Sequence, residues 1–275
     1  MRRSALPIIH KVETMELGLS GKTVLITGGS KGIGKNVARV FHSEGCTVHL
    51  ASRSTENLEA AAAEIGGEDR SRVFVHAKDI SRSQSVAELL AAVGTPDILV
   101  NNAGAIPGGD LHSVDDARWR EAWDLKVFGY INMTRAFLAA METRGSGVII
   151  NVTGLAADRT DVNYVAGTTG NAGLNAFTRA VGGRSLSQGI RVLAVSPGPV
   201  ATERLVTLMR ARAQAEFGDP DRWQSLLSGL PANRAATVDE VADIVVFMAS
   251  ERASFVSGTV VTVDGGHGAN QSSIS

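Results

Sequence analysis

The sequence predicts an α/β fold: a single Rossmann-type, doubly wound domain with a parallel sheet flanked by helices. Apolar runs of strand length alternate with helical periodicity from Thr23 to the last strand, which is the pattern of a parallel sheet covered on both faces. No linker, repeat or low-complexity stretch interrupts the alternation, so the 275 residues are read as one domain. The first apolar run, Thr23-Val24-Leu25-Ile26, passes through the glycine turn Thr27-Gly28-Gly29-Ser30-Lys31-Gly32-Ile33-Gly34. Beyond it, Ile33, Val37, Ala38, Val40 and Phe41 have helical spacing.

The elements follow in order. Strand one is Thr23–Thr27, and the helix after it runs to about Glu44, where Gly45 supplies a C-cap. Strand two is Thr47–Ala51, followed by an Ala/Glu-rich helix from Leu58 to Ile65 that ends at Gly66-Gly67. Strand three, Arg72–His76, leads through Asp79-Ile80-Ser81 into a helix containing Val86, Leu89 and Leu90. Strand four, Asp97–Val100, ends in Asn101-Asn102-Ala103-Gly104, and one long helix is expected from Val114 to Met141. Strand five is Gly147–Val152; a second long, glycine-rich helix covers Asn163 to Leu186. Strand six, Arg191–Val195, ends at Ser196-Pro197-Gly198-Pro199. Residues 203–230 are helical with mixed polarity and sit where such a fold carries a lid. Thr237-Val238-Asp239-Glu240 caps a last helix, and Thr259–Val263 closes the sheet. The domain is placed at residues 17–268, with a loose extension at 1–16 and a tail at 269–275.

Composition narrows the function. The chain is 44% hydrophobic and 20% charged, with a net charge of −1, which is ordinary for a globular protein. Without a basic run, nucleic acid is not the expected partner. The single cysteine, Cys46, excludes an internal disulfide and a cysteine-rich metal site, and reads as a buried small hydrophobe. No metal-ligand cluster occurs. No apolar run reaches the roughly 18–20 residues that span a bilayer, and the apolar core near Met1 is too short for a secretory signal. Met15 is an alternative start, and a cytoplasmic, membrane-free protein is expected.

Strand, glycine turn and helix together form a site for a dinucleotide pyrophosphate. The glycines permit a tight turn and close backbone approach, and the first N–H groups of the helix face the anion. Gly28, Ser30, Lys31, Gly32, Ile33 and Gly34 are the cofactor contacts this predicts. In such folds an acid about 20 residues past the glycines takes the ribose 2′-hydroxyl, whereas an arginine accommodates a 2′-phosphate. Strand two ends Ala51-Ser52-Arg53, with no acid. Arg53, with Lys31, therefore favours NADP(H) over NAD(H).

Thr-Gly-x-x-x-Gly-x-Gly at 27–34, Asn-Asn-Ala-Gly at 101–104, Tyr164, Pro-Gly at 197–198 and Thr202 stand in a fixed order. The chain resembles the short-chain dehydrogenase/reductase family from about Leu17 to Gly266. The resemblance implies a seven-stranded sheet of order 3-2-1-4-5-6-7. It implies cofactor contacts at Ser52, Asp79 and Ile80, and a nicotinamide pocket at Asn102, Ala103, Gly104, Val152, Pro197, Gly198, Val200 and Thr202. It also implies a small-molecule substrate and a homo-oligomer, dimer or tetramer, paired through the two long helices.

The family's active site is a tetrad of Asn, Ser, Tyr and Lys, the last two spaced Tyr-x-x-x-Lys. Here Tyr164 is kept, whereas Thr168 stands where the lysine belongs, Gly154 where the serine falls and Lys126 where the asparagine belongs. Thr153, beside Gly154, offers a hydroxyl. A tyrosine with an ordinary pKa near about 10 needs a nearby cation to act at neutral pH. Lys126 is expected to supply it in place of a lysine at 168, which makes Tyr164, Lys126 and Thr153 the candidate catalytic residues. Asn171, one turn further on, is a structural polar residue or a cofactor ligand. Asp158, Arg159 and Asp161 read as loop charges, His112 as a possible substrate contact, and Trp119 and Trp123 as packing or interface residues. The retained tyrosine supports an NADPH-dependent oxidoreductase acting on a carbonyl or secondary alcohol, of apolar character if the lid residues Leu205, Leu208, Met209, Phe217 and Trp223 face it. The three altered positions support a nucleotide-binding sensor or inactive partner subunit.

Overall fold

The computed structural model describes residues 15–270. The expected extension lies outside this range except for its last two residues, and the tail beyond Asn270 lies outside it as well. Seven parallel strands form one sheet: β1 (Thr23–Thr27), β2 (Thr47–Ser52), β3 (Val73–Ala77), β4 (Ile98–Asn101), β5 (Gly147–Val152), β6 (Ile190–Pro197) and β7 (Val260–Val263). Their order is β3-β2-β1-β4-β5-β6-β7, as the resemblance implies. Every pairing is parallel, with Leu25 beside His49 on one side and Leu99 on the other. All eight residues of β6 are buried, and apart from Arg191 and Ser196 its sequence is apolar rather than alternating.

Helices cover both faces. α1 (Gly32–Ser43), α2 (Thr55–Gly66) and α8 (Val238–Ala249) pack Phe41, Leu58 and Val245 onto one side. α3 (Ser83–Val93) and α5 (Gly129–Arg144) pack Leu89, Phe137 and Met141 onto the other. The starts of these helices are set locally. Ser54 caps α2 through the Asn57 N–H, and Thr237 with Glu240 forms a reciprocal capping box on α8. Cys46 is buried, donates to the Leu19 carbonyl, and has its thiol pushed up to about 12 by desolvation. Among the described residues no helix is long and apolar enough to cross a membrane.

The expected single helix over Val114–Met141 is broken. α4 (Asp116–Trp123) gives way to a π-helical turn at Asp124–Phe128 before α5 begins at Gly129. A π turn inserts one residue into the helical ladder and rotates the side chains that follow; Lys126 sits inside it. α6 (Val165–Ser185) and α7 (Glu203–Phe217) complete the set, and a 3-10 segment, Pro220–Leu227, packs on α7 as the rest of the expected lid. Because β1 lies between β2 and β4, the chain reverses direction across the sheet there. The carboxyl ends of β1 and β4 flank the crevice in which ligands of such folds lie.

Candidate active site

The glycine turn is built for close approach. Gly28 and Gly32 have φ of +67° and +53°, in the left-handed region. A side chain at Gly34 would put its Cβ 2.3 Å from the Gly28 carbonyl oxygen and 2.4 Å from Asn102 Nδ2. No side chain caps the N-terminus of α1, and its first turn holds no acid, so its N–H groups are left for an anion. Thr202 closes on the turn from the far side, 3.3 Å from where a Gly32 Cβ would stand. The turn is tied to β4 by Thr27, whose hydroxyl accepts from the Asn102 and Ala103 N–H groups. Asn102 Nδ2 donates to the Thr27 carbonyl, so this amide shapes the turn rather than reaching for a ligand.

Beyond the turn, Gly28, Ser52, Arg53, Ile80, Ala103 and Gly104 share a small recess. Arg53 also borders the adjoining depression with Asp79. Ser52 Oγ is buried there without a hydrogen-bond partner among the described residues, a polar atom that a bound nucleotide would satisfy. These features fit a dinucleotide cofactor.

A larger cleft of about 710 Å³ opens between the ends of β5 and β6, α6 and α7. Its walls include Ile33, Pro197, Gly198, Val200 and Thr202, together with Lys126, Thr153, Tyr164 and Asn171. The π turn aims Lys126 into it. The lysine stem runs past Gly104, where a Cβ would lie 2.8 Å from Lys126 Cδ, and Nζ donates to the Thr153 carbonyl at 3.1 Å. Desolvation of the ammonium lowers its pKa to about 8. Lys126 thus stands in the cleft as a cation held by one carbonyl, not as a solvated helix lysine.

Tyr164 precedes α6, in a non-helical conformation (φ −144°, ψ 39°). Its ring folds back along the helix: a Cβ at Gly167 would lie 2.1 Å from both Cε1 and Cζ of the tyrosine. The space a side chain at 167 would use is filled by this ring. Burial raises the Tyr164 pKa, and the Arg204 charge opposes that rise. No hydrogen bond holds its hydroxyl among the described residues.

The Thr168 N–H closes the first turn of α6 on the Tyr164 carbonyl at 2.8 Å, and its hydroxyl accepts from the Asp161 N–H at 3.4 Å rather than lining the cleft. Asn171 is the α6 residue that faces the cleft from below Gly154, with Nδ2 3.3 Å from where a Gly154 Cβ would stand. Its Nδ2 donates to the Gly167 carbonyl, while Oδ1 is buried with no donor among the described residues.

Two expected contacts require correction. Thr153 does not turn its hydroxyl to the cleft: its backbone N–H continues the ladder to the Val195 carbonyl, and the side chain, kept in sheet register, donates to the same oxygen at a long 3.5 Å. Its carbonyl, which anchors Lys126, is what it brings to the site. Val152 is buried in the core, and its carbonyl accepts from the Tyr130 hydroxyl, so it does not border the cleft. Trp123 is a packing residue whose Nε1 donates to the Ala166 carbonyl. Arg159, Arg204 and His267 line the cleft although loop and helix cations carry no distinguishing sequence pattern; only Arg159 was noticed, as a loop charge.

A family model described as enoyl-(acyl carrier protein) reductase matches residues 28–268. The chain is 32% identical to galactitol 2-dehydrogenase (L-tagatose-forming) of Cereibacter sphaeroides over 90% of its own length and 96% of that protein's. Among solved structures it is similar to L-sorbose reductase from Gluconobacter frateurii, complexed with NADPH and L-sorbose, with a TM-score of 0.87, 29% identity, and coverage of 94% of this chain and 100% of that one. It is also similar to a Brucella melitensis 3-ketoacyl-(acyl-carrier-protein) reductase complexed with NADH, with a TM-score of 0.80, 28% identity, and coverage of 91% and 100%.

Proposed function

We propose, for a chain that belongs to the short-chain dehydrogenase/reductase family of NAD(P)-dependent oxidoreductases, that Tyr164 and Lys126 together run the proton chemistry of an NADPH-linked carbonyl reduction or its reverse. The observation that carries this is the position of the Tyr164 ring: it occupies the side-chain space above Gly167, in the same cleft as a half-buried lysine cation. The cofactor, when bound, supplies or accepts the hydride.

The chain's own residues do the rest. The turn from Gly28 to Gly34 and the start of α1 hold the pyrophosphate. Arg53 and Lys31 favour a 2′-phosphate, in line with the absence of an acid at the end of β2. Asp79 and Ile80 border the adenosine side, and Ala103, Gly104, Pro197, Gly198, Val200 and Thr202 border the nicotinamide side. Asn171 Oδ1 offers an acceptor to a hydroxyl of the ligand. In reduction, the Tyr164 hydroxyl gives its proton to the carbonyl oxygen; in oxidation, it takes one back. Burial keeps that hydroxyl protonated at neutral pH, as a donor must be. The Lys126 ammonium, still mostly charged below about pH 8, stabilises the negative charge that develops on the tyrosine oxygen.

A small-molecule substrate and a homo-oligomer belong to the same proposal. Gly173 and Gly183 on α6 have no neighbouring atom within 4 Å of an added Cβ, which leaves both positions open to close approach by a second copy. The test is fluorescence titration with NADPH and NADH, followed by a panel of carbonyl substrates monitored by nicotinamide absorbance. The expected result is tighter NADPH binding with turnover, and loss of turnover by about a hundredfold or more in Tyr164→Phe with binding retained. Full turnover by Tyr164→Phe would remove the tyrosine from the mechanism.

A further inference from the structure

We infer that the substrate carries an anionic group, a carboxylate or its equivalent, gripped at the cleft mouth by Arg204 and Arg159 while its apolar body lies against Leu155, Leu205 and Leu208. This deepens the oxidoreductase proposal and rests on it for the site's chemistry.

The first ground is uncompensated charge. The cleft walls carry Lys126, Arg159 and Arg204 against one acid, Asp161, on a chain whose net charge is only −1. Asp161 is turned to its own loop, with Oδ1 accepting from the Asn163 N–H. Among the described residues neither arginine forms an ion pair, although nine other pairs do form.

The second ground is position. Arg204, at the start of α7, lines the cleft and donates to the Ile106 carbonyl at 3.4 Å, a bond that leaves most of its five N–H donors unused. Arg204 and Tyr164 line the same cleft, so an anion bound to the arginine shares that cleft with the reacting hydroxyl. Arg159, also on the cleft lining, is oriented by His267: Nη1 donates to the His267 carbonyl at 2.9 Å and lies 3.2 Å from His267 Nδ1. A planar guanidinium so fixed matches a carboxylate fork. Leu155, Leu205 and Leu208 give the same cleft an apolar share of its lining. Leu208, 60% exposed, is an uncovered apolar surface that an aliphatic or aromatic body would bury.

The experiment compares matched pairs that differ only in charge: levulinate, para-acetylbenzoate and longer ω-oxo acids, each against its methyl ester. Binding to the NADP+-loaded full chain is measured by calorimetry, and kcat/KM with NADPH by absorbance. The best-fitting acid is expected to bind, and to react, about tenfold or more better than its ester, the return on one charge-assisted contact. In Arg204→Met that acid-to-ester ratio falls toward one, with partial recovery in Arg204→Lys, while NADP+ affinity is kept. Equal ratios in the unsubstituted protein, or no binding of any acid in the series, would overturn the inference. A loss of NADP+ affinity in Arg204→Met with the ratio unchanged would also overturn it, by assigning the arginine to the cofactor phosphates. Turnover of esters and acids alike would keep the oxidoreductase proposal and remove only this one. Selective binding of acids without turnover would do the reverse.

Discussion

Replacing Lys126 by methionine separates a lysine kept for chemistry from one kept for packing. The ammonium pKa drops from an ordinary 10.5 to about 8 because burial disfavours the charge. At about 1.4 kcal/mol per pH unit that depression amounts to about 3 kcal/mol, and partial access from the cleft brings it to roughly 2–3 kcal/mol. The folded protein bears this cost while the lysine is charged in both states, below about pH 8. Between about pH 8 and the ordinary value the unfolded chain binds more protons than the native one, so stability rises with pH across that window. Methionine removes the rise. It also strips the Thr153 carbonyl of its donor, a cost of about 1–3 kcal/mol that is the same at every pH and cancels in the comparison. The assay is urea unfolding of both proteins at about pH 7 and about pH 10, with the stability difference between them expected to shift by roughly 2 kcal/mol in favour of the lysine form at the higher pH. In parallel, kcat falls by about a hundredfold or more while NADPH affinity changes little. A variant with full turnover and no such pH shift would refute both the buried charge and its use.

Further expectations concern single positions. Gly167→Ala drives a methyl group into the Tyr164 ring, 2.1 Å from Cε1 and Cζ, and is expected to abolish turnover while sparing NADPH titration; unchanged kcat would mean that the ring does not rest there. Gly34→Ala sets a Cβ 2.3 Å from the Gly28 carbonyl oxygen and should remove cofactor binding, read by fluorescence titration, without preventing folding. Arg53→Ser is expected to weaken NADPH by about tenfold or more and NADH little; equal losses for both would show that the arginine is not reading the 2′-phosphate.

The glycine turn was legible because its requirements are local: the strand, the positive φ positions and the uncapped helix start all lie within a dozen residues of one another. Strand order and the mouth at the carboxyl ends followed from alternation and resemblance. Lys126 could be singled out from its position in the motif, but the π turn that aims it depends on how α4 and α5 pack, which no short-range pattern records. Tyr164 and Thr168 show the limit of spacing arguments. Thr168 is spent on the loop before the tyrosine, where its hydroxyl accepts from the Asp161 N–H, so Asn171 rather than Thr168 faces the cleft. Thr153 was misjudged because a hydroxyl one residue past a strand still obeys the ladder. Arg204 carries no sequence signal and Arg159 reads only as a loop charge, because an arginine on a loop or a helix start looks the same whether it meets water or a ligand.

The contact between Tyr164 and Gly167 also constrains the order in which such a site could arise. With the tyrosine ring resting where residue 167 would otherwise project, even one carbon there falls 2.1 Å from it, so a side chain at 167 requires the ring to move. The two positions are therefore mutually exclusive hosts for the same volume. A lineage passing from a side chain at 167 to a ring from 164 must lose the first before the second can settle, and its intermediate has an empty site. Restoring a side chain at 167 alone displaces the ring already in place. Substitutions at these two positions should be strongly epistatic: each harmful alone, and the pair less harmful than their product.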